Sequence, residues 1–271
     1  MTIASPFDLN KRVVIVTGGL GQLGSSFTRV LISAGARVAV LDVIDDAARN
    51  PKLAGLPSDS LMLCKVDVTD RGSLESALAA IEQRWETPFG LVNNAALDTP
   101  PDAPASENGP FEDFPQSSFE KVMRVNVTGV MLCCQVFGGA MAKAGRGSIV
   151  NIGSIYGMLS PDQALYQYRR DEGEPFFKPV AYSVSKSALL NLTRYLAVYW
   201  GPKNVRVNTL TFAGVFAKQH PGFLKPYIAK VPLGRMASAD DYDGPILYLI
   251  SDASRYMTGS NMVVDGGFSA M

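Results

Sequence analysis

Short runs of apolar, β-branched residues alternate with longer amphipathic stretches along most of this 271-residue chain. Residues 12–17 read Arg-Val-Val-Ile-Val-Thr, the uninterrupted apolar character of a strand buried on both faces of a parallel sheet. Runs of the same kind occupy 36–41, 61–66, 90–93, 147–152 and 205–210. Between them the spacing of apolar positions predicts helices over 25–34, 72–85, 117–142, 181–199 and 239–250. Strand and helix in alternation predict right-handed βαβ crossovers, hence an α/β, Rossmann-like doubly wound parallel sheet with helices on both faces. The length suits one undivided domain over 1–271, and no internal repeat or low-complexity segment interrupts it. In such sheets ligands gather at the carboxyl ends of the strands.

The first predicted strand leads directly into Gly18-Gly19-Leu20-Gly21-Gln22-Leu23-Gly24, and the second ends at Asp42. Strand, glycine turn, helix, strand and terminal acid make up a dinucleotide-binding unit. Glycines let the backbone approach a pyrophosphate, which rests on helix N–H groups that lack an intrahelical partner. An acid about 20 residues beyond the turn can hydrogen-bond the adenine ribose hydroxyls. A carboxylate there repels a 2′-phosphate, and no Arg or Lys stands in the turn or just after the strand. NAD is therefore expected in preference to NADP.

Tyr182 and Lys186 are four residues apart in the helical stretch 181–199, and so share one face. A tyrosine ordinarily ionises at about pH 10. A neighbouring ammonium favours the phenolate and lowers that value, giving a group that can exchange a proton. Taken alone, such a pair is more often a surface pair on an amphipathic helix.

Charge narrows the partners. Lys plus Arg and Asp plus Glu are each 25, leaving no basic field for nucleic acid or an anionic membrane. No apolar run of about 18 residues is free of polar interruptions, and residues 1–11 hold no signal-peptide core. These features predict a cytoplasmic protein whose partner is a small-molecule substrate. Cys64, Cys133 and Cys134 lie in apolar contexts, as buried thiols do. The single histidine, His220, has no partners for a triad, and no metal site is expected.

The turn at 17–24, Asp67-Val68, Asn93-Asn94-Ala95-Ala96, Asn126, Ser154, Tyr182 with Lys186, and Val264-Asp265-Gly266-Gly267 follow in order along nearly the whole chain. In this the chain resembles the short-chain dehydrogenases/reductases, in their shorter single-domain branch. The resemblance implies an NAD(P)-dependent oxidoreductase that interconverts a secondary alcohol and a ketone. It implies Tyr182 as the acid/base at the substrate oxygen and Lys186 as the group that lowers its pKa and binds the nicotinamide ribose. Ser154 would hold the same oxygen, and Asn126 would bend its helix and carry a water toward Lys186. Cofactor contacts are implied from Gly18, Gly21, Gln22 and Leu23 at the turn, from Asp42 at the adenine ribose, and from Tyr182 as well as Lys186. Asp67 and Val68 would flank the adenine, Asn94, Ala95 and Ala96 the ribose and backbone, and Val215 the carboxamide. A homodimer or homotetramer through the helices carrying Asn126 and Tyr182 is implied as well. Singly, each residue has a plainer role: Ser154 on local backbone, Asn126 on its own main chain, Asp67 as cap of the helix starting near Asp70.

Departures from the family pattern mark where this chain is individual. Gln22 and Ala96 stand where glycines are usual, 211–215 lack the customary proline, and Ala217 replaces a threonine. The interval from Ser154 to Tyr182 is much longer than usual. Because both side chains must meet one oxygen, segment 155–180 has to loop out over the substrate mouth. Its Tyr156, Tyr166, Tyr168, Arg169, Arg170, Phe176, Phe177 and Lys178 suggest stacking on a sugar or nucleotide and a grip on a carboxylate or phosphate. A subunit contact or solvated loop is the plainer role. Loop 97–117, rich in Pro and acids, would wall the other side. Substrate loop 212–236 includes 216–236, a mobile lid in the family, which is basic through Lys218, His220, Lys225 and Lys230. Substrate contacts are expected from Ser154, Tyr156 and Tyr182, on a small polar molecule such as a sugar derivative. The run Ser154-Ile155-Tyr156-Gly157 with its insertion is similar to family members in bacterial surface-sugar and flagellin modification. Two other readings stay open: a sugar-nucleotide epimerase or dehydratase with tightly held NAD, and a non-catalytic NAD-binding scaffold.

Overall fold

In the computed structural model, which describes residues 5–44, 51, 53–98 and 105–271, seven parallel strands form one sheet. They are β1 (Val13–Thr17), β2 (Arg37–Asp42), β3 (Leu61–Lys65), β4 (Gly90–Asn93), β5 (Gly147–Ile152), β6 (Val205–Phe212) and β7 (Asn261–Val264). Their order is β3-β2-β1-β4-β5-β6-β7, so the winding reverses beside β1, where Val14 pairs with both Val38 and Gly90. That reversal is where a doubly wound sheet opens a crevice.

β1, β4 and β5 are buried at every position, as strands covered on both faces must be. On one face the helices Gln22–Ser33 and Asp243–Ile250 set Phe27, Leu31, Ile246 and Ile250 against Val14, Val16 and Val38. On the other, Arg71–Arg84, Gln116–Ala144 and Val180–Trp200 set Leu74, Ile81, Phe137, Met141, Leu189 and Trp200 against Val13, Ile15, Leu91 and Val207. Each fully buried side chain of this kind contributes about 1.5–3 kcal/mol. The helix Gln116–Ala144 is long and apolar enough to cross a membrane, and half of its most apolar window is buried inside the protein. It carries two π-helical segments, Arg124–Gly129 and Cys134–Gly138, and the first includes Asn126. Such segments bend a helix and recur at functional sites. Cys133 and Cys134 are buried; Cys64, against expectation, is half-buried.

A third, smaller cluster lies off the sheet. Leu165, Tyr166 and Phe176 of the insertion pack against Tyr227, Val231 and Met236 of the segment after β6. The Tyr166 ring is 5.0 Å from Phe176 and 5.5 Å from Phe223, and Phe223 is 5.2 Å from Tyr227. Tyr168 stacks on His220 at 4.6 Å, and Lys230 pairs with Asp162 at 2.9 Å. Insertion and lid are therefore one cap with a common core, which rules out the solvated-loop alternative. Of the wall expected over 97–117, residues 99–104 lie outside the described residues.

Candidate active site

At the reversal, the carboxyl ends of β1 and β4 part and a groove of about 720 Å³ opens. Gly18, Gly21, Gln22, Leu23, Asp42, Asp67, Val68, Asn94, Ala95 and Ala96 all line it. Gly18 turns the chain at a φ of 61°, and a Cβ on Gly24 would stand 2.3 Å from the Gly18 carbonyl oxygen. The turn closes only without side chains there. The helix Gln22–Ser33 begins inside this turn, with no capping side chain and no acid in its first turn. Its N–H groups are thus presented as an anion site. Across the groove, the Asp42 carboxylate accepts from the Leu20 N–H at 3.1 Å and from the Ile44 N–H at 3.3 Å. Val43, Ile44, Val66 and Val68 make the adjoining wall apolar. The residues fit a dinucleotide: N–H groups for a pyrophosphate, a carboxylate for ribose hydroxyls, an apolar wall for adenine.

Three of these residues also do something the sequence did not suggest. Asn94 donates from its amide to the carbonyls of Thr17 and Gly18, at 3.0 and 3.1 Å, and so braces the glycine turn. Asp67 accepts from the N–H and hydroxyl of Thr69, both at 2.8 Å, while Asp70 caps the following helix by accepting from Gly72. Gln22, the residue out of pattern, donates to the Phe216 carbonyl at 2.9 Å and ties the turn to the start of the lid.

A cavity of about 510 Å³ adjoins the groove at Leu23 and Asp98 and holds Ser154, Tyr156, Tyr182 and Val215. Ser154 follows β5 in extended backbone, and its Oγ accepts from the Tyr156 N–H at 3.2 Å, leaving its proton for another oxygen. Pro179 stands immediately before the helix Val180–Trp200, whose first turn brings Tyr182 into hydrogen-bond contact with Ser154. One turn on, the buried Lys186 donates from Nζ to the Ile152 carbonyl at 2.8 Å, with Nζ 5.6 Å from the centroid of the Tyr182 ring. Asn126 accepts from the Leu97 N–H at 2.7 Å and donates to the Leu97 carbonyl at 2.8 Å and to Ser185 Oγ at 2.9 Å. Its side chain fastens the helix Val180–Trp200 to the loop after β4.

Burial pushes the Tyr182 phenol above its ordinary value; the Asp98 carboxylate adds to this and the Ser154 hydrogen bond opposes it. The expected lowering by Lys186 is not among these effects, of which desolvation is the largest. Burial also depresses Lys186, to about 8, against Asp98, which raises it.

A buried polar ladder beneath the site escaped the sequence reading. Asn93 donates to Asn151 at 2.8 Å, Asn151 to Thr193 at 2.9 Å, and the Thr193 and Thr209 hydroxyls meet at 2.7 Å. It joins β4, β5, the helix Val180–Trp200 and β6, and buried amides and hydroxyls of this kind were its only signal. The ion pair of Lys178 with Asp98, in the cavity itself, escaped as well. The insertion's arginines are a correction. Arg169 pairs with Glu174 and lies 3.8 Å over the Phe176 ring. Arg170 donates to the carbonyls of Phe176 at 2.7 Å and Gln163 at 2.8 Å. Both fold the insertion and neither is free to grip a carboxylate or phosphate. Among the described residues, no cluster of His, Cys, Asp and Glu is placed to hold a metal.

Known proteins are similar to this chain over nearly its whole length. The family model described as enoyl-(acyl carrier protein) reductase matches residues 21–269. The chain is 32% identical to trans-4-hydroxycyclohexanecarboxylate dehydrogenase of Sinomonas cyclohexanicum, over 96% of this chain and 93% of that one. It is 29% identical to the NAD-dependent glycerol dehydrogenase of Listeria innocua, over 97% and 96%. A short-chain dehydrogenase of Leptospira borgpetersenii, solved with bound NAD+, matches with a TM-score of 0.85 at 31% identity, covering 99% of this chain and 97% of that one. The chain belongs to the short-chain dehydrogenase/reductase family and is an oxidoreductase that interconverts secondary alcohols and ketones.

Proposed function

We propose that the protein is an NAD-dependent dehydrogenase of a small polar secondary alcohol, with Tyr182 as its acid/base. The observation that carries this reading is the place of the Tyr182 phenol, half-buried beside Ser154 in a cavity that abuts the dinucleotide groove. A carbinol oxygen in that cavity reaches both hydroxyls. Ser154 donates to it, while the phenol takes its proton in oxidation and returns it in reduction. Lys186, pinned to the Ile152 carbonyl, keeps positive charge beside the phenol as negative charge builds there. Bound dinucleotide supplies the hydride acceptor at its nicotinamide ring. Asp42 favours NAD, since a 2′-phosphate would meet its carboxylate with no basic residue in the turn or at 43–44.

Ser154, Tyr156, Tyr166, Arg169 and Lys178 place polar groups within a largely apolar lining, which supports a substrate that carries hydroxyls. So do the names of the relatives that oxidise glycerol and a hydroxycyclohexanecarboxylate. The test follows absorbance at the NADH band with NAD or NADP against polyols, sugars and hydroxy acids. At least one should be oxidised, with kcat/KM favouring NAD about tenfold or more. Oxidation of steroids or fatty acyl chains alone, or a preference for NADP, would count against the reading. A homo-oligomer is part of the proposal. The outer face of the helix Val180–Trp200 exposes Val184, Tyr195, Val198 and Tyr199, an apolar stripe suited to a second copy.

A further inference from the structure

We propose that Asp98 and Lys178 form a recognition pair for a neutral vicinal diol, holding between them the hydroxyl next to the reacting carbinol. The inference rests on the oxidoreductase reading above and names its substrate class.

Position comes first. Both residues line the cavity that contains Ser154 and Tyr182, and Asp98 stands where that cavity meets the dinucleotide groove. Lys178 reaches in from the insertion, with its Nζ 5.5 Å from the centroid of the Tyr182 ring. Its side chain is 11% exposed, whereas that of Asp98 is 55% exposed and open to an incoming group. A substrate oxygen at Tyr182 therefore has this ion pair beside it.

Charge decides the class. Both basic side chains lining the cavity already have carboxylate partners, Lys178 with Asp98 and Arg169 with Glu174. His220 accepts from the Gly222 N–H through Nδ1 and stacks on Tyr168. A substrate carboxylate or phosphate would have to displace one of those carboxylates, and would add negative charge near a phenol that Asp98 already disfavours as phenolate. A neutral hydroxyl avoids both costs. It donates to Asp98 and accepts from Lys178 at once, which satisfies one O–H with two charge-assisted bonds. Tyr156 adds a further polar atom: its hydroxyl borders the cavity, buried beside that of Tyr166. A polyol offers such a pair a second hydroxyl.

The test uses the full-length protein with NAD on cis-1,2-cyclohexanediol, cyclohexanol and 4-hydroxycyclohexanecarboxylate. The diol should exceed cyclohexanol in kcat/KM by about tenfold or more, and the carboxylate should not exceed the diol. Asp98→Asn and, separately, Lys178→Met should each lower the diol-to-cyclohexanol ratio about tenfold, chiefly through KM for the diol. The ratio separates recognition from any effect of these charges on the phenol. An unchanged ratio in both variants overturns the proposal, as does preference for the carboxylate. A rise in KM for NAD with diol discrimination intact overturns it too. Turnover without diol preference defeats the pair alone, whereas no turnover of any alcohol defeats the oxidoreductase reading with it.

Discussion

The Lys186 ammonium is bonded to the Ile152 carbonyl at 2.8 Å, so the residue beside Tyr182 also pins the helix Val180–Trp200 to the end of β5. Its folded value of about 8 lies below the ordinary lysine value of 10.5. Between those values the unfolded chain binds the extra proton, so stability rises with pH there and the contribution is lost as pH falls through about 8. Relative to Lys186→Met, the wild type should gain up to about 3 kcal/mol across that window. The raised Tyr182 acts in the opposite sense above about pH 10 and is common to both proteins. Denaturant unfolding at three pH values decides it, and a flat or falling difference would show that Lys186 is not desolvated as described.

Tyr182→Phe removes a single hydroxyl whose partner is Ser154. Turnover should fall by about 10²–10⁴-fold while the melting temperature and NAD affinity hold, the latter read by calorimetry. Retained binding with lost turnover also disposes of the scaffold reading. Activity above a tenth of wild type would place the acid/base elsewhere.

Asp42→Ser deletes the carboxylate that faces the groove and its bonds to Leu20 and Ile44. The NAD-to-NADP ratio of kcat/KM should drop about tenfold, the scale set by losing a charged hydrogen-bond acceptor. An unchanged ratio would confine Asp42 to bracing the turn.

Phe176→Ala takes a buried ring from the cluster shared by insertion and lid and bares the underside of Arg169. In a main core such a deletion costs about 3–5 kcal/mol. Here the loss should stay local, because the cluster lies off the sheet. Substrate KM should rise several-fold and amide exchange over 155–180 should quicken, with little change in the global midpoint. A large fall in that midpoint would mean that cap and sheet unfold as one unit.

Val198→Glu places a charge on the most exposed apolar position of the helix Val180–Trp200, where Val198 is 80% exposed. Light scattering should then report a smaller assembly than wild type, with the monomer still folded. An unchanged mass would remove this face from any interface.

Most of the scaffold was legible because its physics is local. Six strands and the helix starting at Gln116 announce themselves through period and apolar run. The exception, β7, is four residues long and partly exposed at every position, too short and too polar at its borders to stand out. The stretch 239–250 has helical period throughout, yet a 3₁₀ turn at Ala239–Tyr242 precedes the helix proper, since Ser238 and Asp241 cap each other. Motif order likewise placed ten groove residues together. The long-range terms were hidden. Nothing local signals that Lys178 meets Asp98, 80 residues away, or that Arg169 and Arg170 face inward to fold their own loop. Nor does helix spacing reveal that burial, rather than Lys186, dominates the Tyr182 phenol.

The common core of insertion and lid has a consequence for engineering and descent alike. A chimaera that imports 155–180 from a relative but keeps its own 212–236 would set Tyr166 and Phe176 against foreign neighbours in place of Tyr227, Val231 and Met236. Substrate preference in this scaffold should therefore transplant only when both segments travel together. Libraries that randomise one side of that seam will sample mostly broken caps, whereas paired libraries can move from one alcohol to another.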